Sequence, residues 1–237
     1  HKVPYREDHE APEALMSKAA EVGAKLVYLA NPDNPMGTWH SAETIAAALD
    51  ELPEGCLLVL DEAYIEFAPD GVAPAIDIND PRLIRMRTFS KGYGMAGARV
   101  GYAIGQQDLI RNFDKIRNHF GMNRAAQAGA LAALNDSDWL DWVRAQVASS
   151  RTSIDDIARK NGLSTLPSAT NFVAVDCQQD GAFAQRVLTA LLEQGLFVRM
   201  PFVAPQNRCI RISTGTAENM QLLAKAVPMA LQQAKQG

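Results

Sequence analysis

The sequence predicts an α/β chain: a three-layer α/β/α domain on a mostly parallel sheet, followed by a smaller α+β domain. Three observations predict it. Short apolar runs at 25–30, 56–60 and 83–89 alternate with helical patterns, as strands covered on both faces of a parallel sheet do. Each run ends in polar residues, at 31–34, 61–64 and 88–91, and in such sheets the ligand crevice lies past the strand C-termini. Beyond Gly162 the texture changes to α+β.

Residues 12–22 (PEALMSKAAEV) read as an amphipathic helix closed by Gly23, and KLVYLA is a strand that breaks into the turn-rich NPDNPMGT. Ser41 sits as an N-cap, with Thr44 rather than Glu three residues on, so the capping box is incomplete. That helix runs to about Glu51 and stops at Pro53 and Gly55. CLLVL is the second strand, ended by Asp61; 83–89 is the third and 99–104 the fourth. From about Gln107 to Lys160 the pattern is helical, with a long segment from Trp139 to Arg159. Strands at 171–175, 196–199 and 208–213, a helix at 182–194 and a C-terminal helix from near Ala217 complete the smaller domain. The expected division is 1–139 for the larger domain and 140–237 for the smaller.

Composition narrows the partners. With 237 residues, 47% hydrophobic, and a net charge of −4, the chain can bury a large core and carries no basic field to attract nucleic acid or an anionic membrane. Cys56, Cys177 and Cys209 are dispersed and odd in number, which suggests buried thiols in a reducing compartment rather than disulfides or a metal site. No stretch approaches the roughly 18 apolar residues that span a bilayer, and no signal peptide is visible, so a cytoplasmic setting is expected. The chain opens in mid-phrase, without Met, at His1-Lys2-Val3-Pro4, and an N-terminal portion is expected to be missing.

The polar strand ends hold the candidate chemistry. Lys91 lies in TFSKGYGMAGARVGY, preceded by the hydroxyls of Thr88 and Ser90 and followed by glycines and Arg99. Alone it reads as a solvated surface charge, yet hydroxyls, backbone N–H groups at a glycine-rich turn and a guanidinium fork make a phosphate cradle. Asp61 alone reads as a strand cap; with Tyr64 three positions on it can present a carboxylate and a phenol to one crevice. Asn34 is a turn former that can also donate from the mouth of the first strand. His40 and His119 read as structural or surface residues.

In this order, NPDNPMGT, DEAYIEF and TFSKGYGMAGARVGY resemble the motifs of fold-type I pyridoxal-phosphate-dependent aminotransferases of class II, the histidinol-phosphate aminotransferase branch being the closest. Spacings of 27 from Asn34 to Asp61, 3 to Tyr64, 27 to Lys91 and 8 to Arg99 fit that branch. The resemblance covers essentially the whole chain. It implies pyridoxal 5'-phosphate as cofactor, carried by Lys91, which afterwards shuttles the substrate α-proton. It implies that Asp61 pairs with the ring nitrogen, that Tyr64 and Asn34 meet the phenolic oxygen, and that Thr88, Ser90 and Arg99 bind the phosphate. In RCIRISTGT it points to Arg211 as the clamp for a substrate α-carboxylate, with Arg208 as the local competitor. SATNFVAV makes Asn171 a substrate-side contact, and LFVRMP places Arg199 against a distal phosphate. It also implies a homodimer, a small-molecule amino donor and a 2-oxo acid acceptor.

The family's glycine-containing phosphate loop and ring-stacking aromatic are not found before Asn31, and the loop from Arg199 to Arg211 is shorter and richer in proline and apolar residues than the branch suggests. Three rivals stand. GYGMAG satisfies a dinucleotide fingerprint, which requires a helix to begin inside the glycines. A decarboxylase or lyase of the same fold, such as the threonine-phosphate decarboxylase branch, keeps the cofactor and changes the bond broken. A non-catalytic aminotransferase-like module is the third, opposed by the retention of Lys91, Asp61, Tyr64, Arg99 and Arg211.

Overall fold

The computed structural model describes residues 1–75 and 77–236. The chain divides into two compact units, His1–Asp33 with Trp39–Asp141, and Asn34–Thr38 with Trp142–Gly237.

In the first unit, α1 (Pro12–Val22) starts with Pro in its first turn, where the missing N–H costs nothing, and ends at Gly23 in the left-handed conformation, φ +61°. The strand β1 (Leu26–Ala30) follows. α2 (Ala42–Asp50) is capped by the Ser41 side chain, which accepts from the Thr44 N–H, and β2 (Leu57–Asp61) and β3 (Leu83–Thr88) complete the parallel part of the sheet. Met16 and Ala19 of α1, and Ile45, Ala48 and Leu49 of α2, pack on Val27, Leu29, Leu58, Leu60 and Leu83. Each fully buried large aliphatic side chain there contributes about 1.5–3 kcal/mol relative to exposure. β1 alternates: Val27 and Leu29 are buried under the helices, while Leu26 and Tyr28 on the opposite face are 61% and 58% exposed.

The fourth strand is the antiparallel member of the mostly parallel sheet. β4 (Gly101–Gly105) pairs antiparallel with β3, so the sheet, in chain order β1 to β4, is mixed. The reason is the connection: between Thr88 and Gly101 the only helical element is a three-residue 3-10 turn, Ala96–Ala98, and a parallel return needs a crossover, usually an α-helix. α3 (Gln107–Arg111) and α4 (Arg124–Leu134) follow, and Ala126 and Ala130 of α4 pack with Phe89 and Val100, which flank the Lys91 turn.

From Trp142 onward, α5 (Ser137–Lys160) belongs to the second unit. There β5 (Ser164–Thr165), β6 (Phe172–Asp176) and β7 (Cys209–Ser213) form an antiparallel sheet. α6 (Gly181–Glu193) and α7 (Ala217–Ala234) are capped by Asp180 and by a Thr216–Asn219 capping box. Ile154, Phe183, Val187, Leu191, Ile210 and Leu223 lie in its core.

The strand expected at 196–199 reduces to one antiparallel bridge, Arg199 with Arg211, because after Gly195 only Arg199 reaches the edge of β7 and Phe197 points to solvent. The two-residue β5 was not foreseen; it is too short to carry a pattern. All three cysteines are buried free thiols, as expected. Among the described residues, no helix is long and apolar enough to cross a membrane.

Candidate functional site

β2 ends on Asp61 because the next residue is committed elsewhere. Glu62 is fully buried (0% exposed) and accepts from Arg85 at 2.6 and 3.0 Å and from Arg87 at 2.8 Å. Arg85 also donates to the Pro74 carbonyl at 3.1 Å. A buried carboxylate needs such partners. This cluster pins the strand end, so that Asp61 turns to the face of the sheet opposite α1 and α2.

On that face the Asp61 carboxylate is held at both oxygens. Oδ1 accepts the Ala63 N–H at 2.9 Å, and Oδ2 accepts the Tyr28 hydroxyl. The parallel register pairs Ala30 with Asp61 and Tyr28 with Val59, so Tyr28 and Asp61 share a face one step apart. Burial, then the hydrogen bond and charge of Asp61, push the Tyr28 phenol well above its usual range.

Tyr64 is buried, and the Lys91 ammonium nitrogen lies 4.9 Å from its ring centroid. Half-buried Lys91 has no ion-pair partner among the described residues. Thr88 Oγ1 accepts the Ser90 N–H at 3.0 Å and donates to the Val100 carbonyl at 3.5 Å, so the two hydroxyl residues form one turn just before Lys91. Arg99 adopts a left-handed backbone, φ +54°, which costs a non-glycine residue about 1–3 kcal/mol and clusters at functional sites. Its exposed guanidinium donates to the Ala96 carbonyl at 2.8 Å. No α-helix begins inside GYGMAG; the three-residue 3-10 turn at Ala96–Ala98 leads through Arg99 and Val100 into β4, so the dinucleotide fingerprint lacks its required helix.

A third cluster surrounds the end of β1. Asp33, only 2% exposed, accepts the Tyr5 hydroxyl at 3.0 Å, and Glu10 accepts the Ala30 N–H at 3.1 Å. Burial, then the charge of Asp33, push the Glu10 carboxyl up to about 8. His40 bonds its ring to the Glu10 carbonyl at 2.7 Å, and its backbone pairs with the Asn31 side chain; burial holds its imidazole below the usual range. That is a structural role. His119 is exposed.

In the second unit, Asn34 Oδ1 accepts from Arg211 Nη1. Arg211 lies in β7, with its guanidinium 4.7 Å from the Phe172 ring centroid. Its backbone exchanges both bridge hydrogen bonds with Arg199, at 2.6 and 3.1 Å, and the Arg199 guanidinium lies 5.7 Å from the Phe197 ring centroid. Asn171 is held by its carbonyl, which accepts from the Thr214 N–H and hydroxyl at 2.9 and 3.0 Å; its carboxamide has no partner among the described residues. Arg208 is committed to Asp176 at 2.7 Å.

The structure therefore brings Tyr64 to Lys91, Thr88 to Ser90, and Asn34 and Arg199 to Arg211. Sequence reasoning missed Tyr28, the Glu62–Arg85–Arg87 cluster and the Glu10–Asp33 pair. The one available signal was LIRMRT, where two arginines on the same face of a strand call for a buried counter-ion.

The model of the family aminotransferase class I and II matches residues 2–227. Histidinol-phosphate aminotransferase 2 of Ralstonia nicotianae is 39% identical over 223 residues, covering 93% of this chain and 60% of that relative. Histidinol-phosphate aminotransferase of Bacillus velezensis is 36% identical over 222 residues, covering 92% and 60%. The solved structure of histidinol-phosphate aminotransferase from Sinorhizobium meliloti, in complex with pyridoxal-5'-phosphate, matches with a TM-score of 0.96 at 52% identity, covering 98% of this chain and 64% of that one. The chain thus spans about 60% of the length of the curated relatives it matches. With that match running through β1 to β7 and every strand-end motif, the chain belongs to the class I and II aminotransferase family.

Proposed function

We propose that the protein is a pyridoxal-phosphate-dependent aminotransferase that moves an amino group between an amino acid or amino-alcohol phosphate and a 2-oxo acid. Histidinol phosphate is the first donor to test, in keeping with the names of the relatives. One observation carries the reading: Lys91 is a half-buried amine without a counter-ion among the described residues, beside the Tyr64 ring and directly after a hydroxyl-bearing turn.

The donor set suits the cofactor. It offers an uncommitted amine, a carboxylate at a strand end, a buried phenol, two hydroxyls at a turn and an exposed guanidinium. When bound, pyridoxal phosphate supplies an electron-withdrawing ring that stabilises negative charge at the substrate α-carbon. Lys91 holds it covalently and, once released, moves the proton at that carbon. Asp61 keeps the ring nitrogen protonated. Tyr64 and Asn34 are assigned to the phenolic oxygen, and Thr88, Ser90 and Arg99 to the phosphate. Arg211 is assigned to a substrate carboxylate, Asn171 to the substrate side, and Arg199 to a distal phosphate. The larger domain at 1–139, the smaller at 140–237, a homodimeric state and a cytoplasmic setting belong to the same reading.

The test is borohydride reduction after incubation with pyridoxal phosphate, followed by peptide mapping. Lys91 should carry the added mass, and Lys91→Ala should lose both the label and turnover. An unlabelled Lys91 in a protein that still turns over would reject the reading. Histidinol phosphate, phenylalanine and O-phosphothreonine, scored for keto product against carbon dioxide, separate transamination from decarboxylation.

A further inference from the structure

We propose that Tyr28 is a positioning residue: its phenol holds one oxygen of Asp61 so that the carboxylate meets the cofactor ring nitrogen in a single orientation. The inference rests on the role given to Asp61 above and adds a residue that the motifs do not contain.

The geometry is specific. An isolated carboxylate at a strand end turns freely about its last bond, and a tether at one oxygen leaves that freedom partly in place. Here both oxygens are held, Oδ1 by the Ala63 N–H at 2.9 Å and Oδ2 by the Tyr28 hydroxyl. A carboxylate has about four lone-pair sites, so two remain for a ring N–H. Fixing the group beforehand removes an ordering cost that binding would otherwise carry.

Tyr28 is suited to this task. Parallel register brings it alongside Asp61 without using its ring in the core, since the side chain is on the open face of β1. Its neighbours are acidic: Asp61, then Glu10 and Asp33. Partial burial of the phenol, its hydrogen bond to Asp61 and these charges keep it protonated, so it remains a donor. The arrangement places a neutral donor where a cation would cancel the charge that the ring nitrogen needs to see.

Tyr28→Phe removes only the hydroxyl. Leu26→Ala, two residues away on the same exposed face, serves as the control. The dissociation constant of pyridoxal phosphate is measured together with the melting temperature of the cofactor-free protein, kcat, and KM for the amino donor. The expected result for Tyr28→Phe is about tenfold weaker cofactor binding, the loss typical of a hydrogen bond to a charged group. kcat should fall while KM for the donor stays within twofold, because Asp61 faces the ring and not the donor. The cofactor-free melting temperature should not move, and Leu26→Ala should match the wild type. Wild-type affinity in Tyr28→Phe overturns the inference and leaves the aminotransferase reading standing. A fall in melting temperature that accounts for the weaker binding also overturns it, by making Tyr28 a structural residue. A wild type that takes up no cofactor at Lys91 overturns the reading and the inference together.

Discussion

Arg211 and Asn34 lie 177 residues apart, yet the Arg211 guanidinium donates to the Asn34 side-chain oxygen. The Phe172 ring, 4.7 Å away, holds the same guanidinium from a second side, and the backbone bridge to Arg199 steadies the strand that carries it. A guanidinium held this way presents its planar fork in one direction, the arrangement that suits a carboxylate.

Arg211→Lys should therefore raise KM for a 2-oxo acid acceptor by about 10- to 100-fold, since a lysine cannot make the paired contact. An amino-alcohol phosphate has no α-carboxylate, and its KM should move far less. Steady-state kinetics of the two half-reactions check this; equal effects on both would remove the carboxylate assignment.

Glu62→Gln should destabilise the first unit by about 3–5 kcal/mol, because it leaves Arg85 and Arg87 facing a neutral group in a buried place. Urea denaturation measures the loss. A change below about 1 kcal/mol would mean the cluster is not what pins the end of β2.

The Glu10 carboxyl gives a pH signature. Burial and Asp33 raise it from 4.5 to about 8 in the folded protein. A group whose folded value is raised contributes stability that is complete below the unfolded value and is lost as pH rises through the folded one. Wild-type stability should fall relative to Glu10→Gln between about pH 4.5 and pH 8. Denaturant midpoints at pH 5 and pH 8 check the sign, and a gap that stays constant would refute it.

Gly37→Ala should cost about 1–2 kcal/mol, the penalty for a side chain in a left-handed conformation. Gly37 has φ +81°, and a Cβ there would lie 2.9 Å from the Ser168 hydroxyl oxygen. Because the Gly37 carbonyl accepts the Ala169 N–H, the change should also disturb Asn34 three residues earlier and weaken cofactor binding. Thermal melts and cofactor titration read the two effects.

What was legible in the sequence was local. Pro12 and Gly23 bracket α1, Ser41 starts α2, and the C-terminal helix begins near Ala217, because caps and turn residues act over three or four positions. The end of β2 at Asp61 was readable for the same reason, since an apolar run simply stops, whereas β3 ends at Thr88, one residue before the expected Phe89. The chain order of the strand-end motifs, fixed by covalent spacing, was also enough to suggest the family.

Partner choice was not legible. Whether β4 runs parallel depends on what fills the link before it, and the bridge of Arg199 depends on where the edge of β7 lies. Tyr28 meets Asp61 across 33 residues and Arg85 meets Glu62 across 23, through registers that no local pattern records. Such pairings are set by packing: once Leu29, Leu58 and Leu60 are buried against α1 and α2, Tyr28 and Asp61 must face the other way and meet there, while Arg85, in register with Leu60, and Glu62 share the helix-covered face and need each other as counter-ions. Local propensity therefore determined the elements and the motifs, while the tertiary structure alone decided which charged and polar groups hold the proposed catalytic residues in place.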